Sequence, residues 1–325
     1  MKLLDHQGND PYVNVALEEY LLKGYPEEVV ILWSSAPSVV IGKHQNAYAE
    51  VNFPYVYREG IPLLRRLSGG GTVYHGPGNL NYTLIRRGEP GRMVDFRKHT
   101  FPVVSFLNQL GVPARFEGKN DIRVNGLKVS GNAEHVYKDR LIHHGTLLYD
   151  ARLQELNHSI RVREGRYLDK SVQSVRSSVA NISDYLPHPP PFDVFRRQLR
   201  DFLADYYRAD SLTGLDETMQ KAARSLADSK YRKWEWNMAY SPPYHFRGDA
   251  FWKGREIRLD MRVKSGLIEQ AAFSGEGSHP GWVAMEKAMK GTRHEAASLL
   301  GLLAEHGFVE GSASRLPDFA LHLFF

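Results

Sequence analysis

Three consecutive glycines, Gly69-Gly70-Gly71, constrain this chain more than any other feature. Glycine is unfavourable inside helices and strands because it loses the most conformational freedom on ordering. The segment Arg65-Arg66-Leu67-Ser68-Gly69-Gly70-Gly71-Thr72-Val73-Tyr74-His75-Gly76-Pro77-Gly78-Asn79 therefore reads as a loop between two short strands. Without Cβ atoms such a backbone can approach a ligand closely and turn its N–H groups toward anionic oxygens, and two arginines can neutralise phosphate. Glycine alone also makes an ordinary turn, so the loop needs support from elsewhere in the chain. A P-loop is excluded, since Gly118-Lys119-Asn120 lacks the hydroxyl that holds the metal, and no G-x-G-x-x-G opens a helix.

The flanking pattern is that of a sheet with interspersed helices. Asp10-Pro11 has the order of a helix start, with Val13, Leu17, Tyr20 and Leu21 on one face and a stop near Gly24. Residues 29–33 and 38–41 are short apolar runs, and further strands are expected at 62–67, 72–75, 79–85, 114–118, 121–125, 127–137 and 141–148. A helix is expected over 98–110, with Phe101, Val104 and Leu107 on its apolar face and Pro102 in its first turn.

A proline-rich connector, Asp184 to Pro191, introduces another helix bearing Phe195, Leu199, Phe202, Leu203 and Tyr206. After Ser241-Pro242-Pro243 the pattern changes to strands at 245–252, 256–263 and 267–273 and helices at 281–290 and 294–306. The expected division is a domain over 1–243 and a small α+β domain over 244–325.

Composition removes several chemistries. The chain has no cysteine, which rules out disulfides, thiolate metal sites and acyl-cysteine intermediates. No stretch approaches the ~20 apolar residues of a membrane span, and the start lacks a signal-peptide core, so a cytoplasmic protein is expected. A net charge of +5 suits an anionic partner, but there is no basic run of the kind that binds nucleic acid, and the aromatics recur at core spacings.

A second polar segment follows the loop: Lys119-Asn120-Asp121-Ile122-Arg123-Val124-Asn125-Gly126-Leu127-Lys128-Val129-Ser130-Gly131-Asn132-Ala133, then His143-His144-Gly145-Thr146-Leu147-Leu148. Asp121 is a hard oxygen ligand suited to magnesium, and Lys128, just after an Asn-Gly turn, can carry a point charge to a carboxylate and an α-phosphate. His143 and His144 have no spacing typical of a zinc site.

These segments, in order and spacing, resemble the lipoate protein ligase A family over most of residues 1 to about 185, and more weakly beyond. Gly76 departs from the pattern, many members having an acidic residue there. The resemblance implies an α+β fold: a mixed-sheet catalytic domain like that of biotin and lipoate ligases, with a small C-terminal accessory domain. It implies ATP-dependent activation of lipoate to lipoyl-AMP with release of pyrophosphate, then transfer to a lysine. The implied recipients are lipoyl-carrier domains of 2-oxoacid dehydrogenase E2 subunits or the glycine cleavage H protein. By position, Arg66, Ser68, Gly69, Gly70, Gly71, Thr72, Val73, Tyr74, His75, Asn79 and Lys128 contact nucleotide and adenylate, Lys128 acts in catalysis, and Asp121 holds Mg²⁺. The competing readings are a transferase that takes preformed lipoyl-AMP and a non-catalytic lipoyl-domain or RNA-binding protein.

Overall fold

The computed structural model describes residues 1–88, 91, 93–160, 165–212, 214–275 and 280–325. In chain order the elements begin β1 (Lys2–His6), α1 (Pro11–Lys23), β2 (Val29–Trp33), β3 (Ser38–Ile41), α2 (Phe53–Arg58), β4 (Leu63–Arg65), β5 (Val73–His75) and β6 (Asn79–Arg87). Next come α3 (Phe96–Gln109), β7 (Ala114–Glu117), β8 (Asp121–Val124), β9 (Leu127–Tyr137), β10 (Arg140–Leu148), α4 (Leu153–Ser159) and β11 (Tyr167–Asp169). They are followed by α5 (Phe192–Tyr207), β12 (Asp210–Leu212), α6 (Glu217–Leu226), β13 (Tyr244–Trp252), β14 (Arg255–Lys264) and β15 (Leu267–Ser274). Last are α7 (Pro280–Met289), α8 (Ala296–Glu305) and α9 (Asp318–Phe324).

The chain divides into two compact units, each assembled from three segments. The first contains 1–43, 64–157 and 174–232. Its main sheet has the order β12-β1-β2-β6-β10-β9-β8-β7, parallel from β12 to β2 and antiparallel thereafter. A small second sheet, β4-β3-β5, carries the glycine loop between two of its strands. The parallel pair β1–β2 is made possible by α1, which crosses between them. That helix starts as the sequence implies, with Asp10 Oδ1 accepting the N–H groups of Tyr12 and Val13 at 2.9 and 3.2 Å.

Both faces of the main sheet are covered, so β6 alternates between two cores. Tyr82 and Leu84 point into a cluster with Val103, Phe106, Phe195 and Leu199 of α3 and α5. Ile85 points the other way, toward Leu17, Leu21 and Leu22 of α1. At about 1.5–3 kcal/mol for each large apolar side chain buried, these clusters dominate the stabilisation of the unit.

Helix α3 differs from expectation. It starts at Phe96, capped by Asp95 on the Lys98 N–H at 3.0 Å, so Pro102 lies inside the helix and not in its first turn. Its buried face is His99, Thr100, Pro102, Val103, Phe106 and Leu107, while Phe101 is 55% exposed. Two buried polar side chains displaced the apolar pattern that would have revealed this face.

The second unit contains 44–63, 158–173 and 233–325. Its sheet has the order β11-β13-β14-β15, so an upstream strand joins the three recognised in the sequence. Strict alternation in β13 and β14 buries Phe246, Leu259, Met261 and Val263 on one face, and the core also holds Trp282, Met285, Leu299, Leu321 and Phe324. Among the described residues no helix is long and apolar enough to cross a membrane.

Candidate active site

The glycine loop is held from beneath by main-chain contacts. A Cβ added at Gly42, just past β3, would lie 2.1 Å from the Gly70 carbonyl oxygen, so the two backbones are in direct apposition. Gly70 itself has φ +87°, a region that favours glycine. The Lys43 N–H donates to the Ser68 carbonyl at 2.8 Å, and the Arg66 N–H to Ile41 at 3.0 Å.

The Arg66 side chain is buried under the loop. Its guanidinium donates to the carbonyls of Val40, Gly69 and Gly71 at 3.1, 2.6 and 2.7 Å, and its Nε to Ser68 Oγ at 3.0 Å. Burial lowers its pKa to about 10, so it stays charged at neutral pH. With the loop carbonyls drawn toward Arg66, the loop peptide is oriented by a charge-assisted network. Thr72 N–H donates to Ser174 Oγ at 2.9 Å, and Tyr74 O–H donates to Glu155.

Behind the loop runs a buried polar chain that local sequence did not reveal. Ser68 Oγ and His144 Nε2 are 2.6 Å apart, and His144 Nδ1 is 3.1 Å from both oxygens of Glu18 on α1. Thr83 O–H donates to Glu18 at 2.5 Å and receives the Trp33 indole N–H at 3.0 Å. The arrangement assigns the His144 proton to Nδ1, so that Nε2 accepts from Ser68. The one signal for Glu18 was its position beside Leu17, Leu21 and Leu22 on the buried face of α1, where a carboxylate needs a partner.

His75 is also buried, set edge-on to Trp33 with ring centroids 5.3 Å apart. Burial, with Arg66 and His144 nearby, pushes its pKa down to about 3, which keeps the imidazole neutral. Asn79 is buried and donates to Asn81 at 3.2 Å.

Lys128 reaches the same region by way of an irregular hairpin. Asn125 and Gly126 both have positive φ, +50° and +80°, which closes β8 onto β9 in two residues. Arg123 then pairs with Lys128 but Ile122 with Ser130, leaving Val129 as an extra residue in β9. This bulge places Lys128 on the same sheet face as Gly131 and Ala133, against the ordinary alternation. His144 pairs with Ala133 and shares that face, and a Cβ built on Gly70 would sit 3.8 Å from Ala133 Cβ. Loop, His144 and Lys128 thus converge on one side of the sheet.

On that side Lys128 Nζ lies 2.8 Å from Asp121 Oδ1, and Arg123 is 2.7 Å from Asp121 Oδ2. Arg123 also donates to Ser177 Oγ at 2.8 Å, while Lys128 exchanges main-chain bonds with Ser178 and Ala180 at 2.9 and 3.1 Å. A Cβ at Gly131 would come within 2.9 Å of Lys128 Cε and Nζ, so the lysine stem lies over this glycine. Gly145 has a comparable role on the opposite face, where a Cβ would strike Asn132 Oδ1 and the Tyr82 ring at 2.1 and 2.7 Å. His143 is on that opposite face too, pairing with Glu134 and Leu84.

Residues 10–204 match the family described as the lipoyl protein ligase A/B catalytic domain. The chain is 35% identical over 309 residues to the lipoate-protein ligase LplJ of Bacillus subtilis, covering 93% of each chain. A crystal structure of lipoate-protein ligase A bound with ATP superposes with a TM-score of 0.63 at 28% identity, covering 73% of this chain and 98% of the other. The bipartite lipoate protein ligase of Thermoplasma acidophilum, studied with its E2 lipoyl domain, gives a TM-score of 0.63 at 27% identity over 73% of this chain and 95% of its own. With its glycine loop, its Lys128 hairpin and the main sheet that joins them, the chain belongs to the lipoate protein ligase family and is a ligase enzyme.

Proposed function

We propose that this enzyme condenses lipoate with ATP to give lipoyl-AMP and pyrophosphate, then passes the lipoyl group to a carrier lysine. The reading rests chiefly on Lys128 and the glycine loop sharing one sheet face in a chain of this family. The lipoate carboxylate attacks the α-phosphorus while the bond to pyrophosphate breaks, and negative charge grows on the oxygens between them. Lys128 supplies a compact ammonium there, and loop N–H groups from Gly69 to Gly71 supply fixed dipoles. Arg66 and Ser68 hold that loop in place, and Thr72, Val73, Tyr74, His75 and Asn79 complete the adenylate-binding stretch.

Asp121 offers the hard oxygen that a Mg²⁺ accompanying the triphosphate would use, and one carboxylate with phosphate oxygens is an ordinary set for that ion. Lys128 and Arg123 share this carboxylate, so metal and lysine would compete for it. In the second half-reaction the carrier lysine attacks the lipoyl carbonyl and AMP leaves. No enzyme nucleophile is required, in keeping with the lack of cysteine. The recipients are lipoyl domains of 2-oxoacid dehydrogenase E2 subunits or the glycine cleavage H protein, and the +5 charge suits acidic carriers. Residues 1–243 carry the chemistry, and 244–325 serve as an accessory domain.

Lipoate-dependent exchange of labelled pyrophosphate into ATP tests the first step without a carrier. Exchange that requires both lipoate and Lys128 is expected. Transfer from synthetic lipoyl-AMP with no exchange would overturn activation and leave a transferase.

A further inference from the structure

On the sheet face opposite Lys128, three side chains from three elements meet in the interior: His99 of α3, Glu134 of β9 and His143 of β10. Both imidazoles direct Nδ1 at the same oxygen, Glu134 Oε1, each at 2.8 Å, and the side chains are 5%, 1% and 0% exposed. The other carboxylate oxygen accepts the Asp95 N–H at 3.0 Å, so the carboxylate is oriented from both ends.

Hydrogen bonding alone leaves one atom of this cluster without a role. If both Nδ1 atoms carry protons for Glu134, His143 Nε2 must accept, and its neighbour is Tyr82 Oη at 3.5 Å. The Tyr82 proton is already committed to Asn132 Oδ1. The Asn132 amide cannot be reversed, since its Nδ2 donates to the Asn120 carbonyl at 2.9 Å. Two lone pairs would then face one another. A doubly protonated His143 would avoid this only by placing a cation at a fully buried position whose one carboxylate oxygen is already shared with His99. A metal on Nδ1 removes the conflict: the proton moves to Nε2 and is donated to the tyrosine oxygen, the usual way an outer partner orients a ligating histidine.

We propose that His99, Glu134 and His143 form a buried site for a divalent transition metal, zinc in the first instance, which ties α3 to the main sheet. Two imidazoles and one carboxylate are an established three-ligand set for zinc, with bond lengths of about 2.0–2.2 Å. Tetrahedral ligand atoms at those lengths are about 3.3 Å apart, so the 2.8 Å separations need to open by only about half an ångström. The site is separate from the adenylation chemistry, because Glu134 and His143 point away from the face that bears Lys128 and His144.

The test uses untagged full-length protein expressed with zinc supplementation, followed by metal analysis and by Co²⁺ titration after chelator treatment. About one zinc per chain is expected, with the visible absorption of tetrahedral cobalt saturating at one equivalent. Glu134→Gln and His143→Gln are expected to lose the metal. Tyr82→Phe, which keeps all three ligands, is expected to weaken zinc binding by about tenfold or more. Wild-type protein that holds no zinc and gives no cobalt spectrum would overturn the proposal. So would unchanged stoichiometry in folded Glu134→Gln and His143→Gln variants, because the metal would then be bound elsewhere.

Discussion

Lys128 and Asp121 meet at 2.8 Å across the β8–β9 hairpin, and the same carboxylate is held by Arg123 at 2.7 Å. A lysine held by a shared carboxylate in this way is already positioned before any substrate reaches it. Lys128→Ala is expected to slow adenylate formation by about a hundred- to a thousandfold, about 3 to 4 kcal/mol, the usual effect of removing one donor to a developing charge. The melting temperature will change little, since the ammonium packs against no apolar core. Lys128→Arg will restore little, because a planar guanidinium does not reproduce a compact ammonium. Single-turnover assays of lipoyl-AMP separate this from a solvated lysine, for which both variants would run at the wild-type rate.

Gly131→Ala tests the position of Lys128 without altering its charge. The added methyl would contact Lys128 Cε and Nζ at 2.9 Å, and the flexible stem will yield before the strand does. A displacement on the order of 1 Å is expected to slow adenylation roughly ten- to a hundredfold. Urea unfolding will change by less than about 1 kcal/mol. Wild-type kcat would show that the lysine tolerates another path to the site.

The apposition of Gly42 and Gly70 leads to a paired expectation. Gly42→Ala forces a methyl into the Gly70 carbonyl, main chain against main chain, so the loop itself must move. Gly70→Val places a β-branched residue at φ +87°, at a strain of about 1–3 kcal/mol. Both variants are expected to fold and to bind lipoyl-AMP much more weakly by calorimetry. Normal affinity in either would reduce the triplet to a turn.

Acid stability follows from His75 and His294, whose pKa values burial lowers from 6.5 to about 3 and about 4. Below pH 6.5 the unfolded chain takes up protons that the folded chain refuses, so stability falls as pH drops toward about 4. At pH 5 the loss is about 2 kcal/mol for each histidine. Urea titrations at pH 7 and pH 5 measure it. A His75→Gln variant is expected to show a smaller difference between the two pH values, whatever its stability at pH 7.

Cutting the chain after residue 243 would not cleanly remove one compact unit. Residues 44–63 and 158–173 would lose their partners: Tyr48 O–H donates to the His294 carbonyl at 2.8 Å, Phe53 packs on Phe325 at 4.2 Å between centroids, and β11 pairs with β13. The truncated protein is expected to aggregate or to lose tens of degrees of thermal stability, and scattering with calorimetry will register either. A soluble fragment with undiminished activation of free lipoate would contradict both this and the accessory role of 244–325.

Much of the secondary structure was legible because strands such as β13 and β14 alternate strictly and because Asp10-Pro11 and Asn125-Gly126 mark their turns plainly. What was not legible depends on distance or on irregularity. β11 joins a sheet whose other strands begin at Tyr244, and its three residues carry no period. The face of α3 was hidden by buried His99 and Thr100. In the candidate site, the motifs named the loop and Lys128, which the fold brings to one sheet face, but Glu18, Thr83 and Trp33 belong to separate elements and become one hydrogen-bonded chain only after the sheet has formed. Nor does spacing show that Arg66 faces its own loop carbonyls, or that Asp121 is shared by two cations.

The extra residue at Val129 is one that the pairing on either side of it does not need. Deleting it would leave Arg123 opposite Lys128 and Ile122 opposite Ser130 in an unbroken ladder, with the lysine still on the face of Gly131. Descendants of this chain can therefore lose that one residue and keep Lys128 beside Asp121, exchanging the local bend of a bulge for a flatter ladder, so a one-residue gap at position 129 is the change of length this hairpin absorbs most readily.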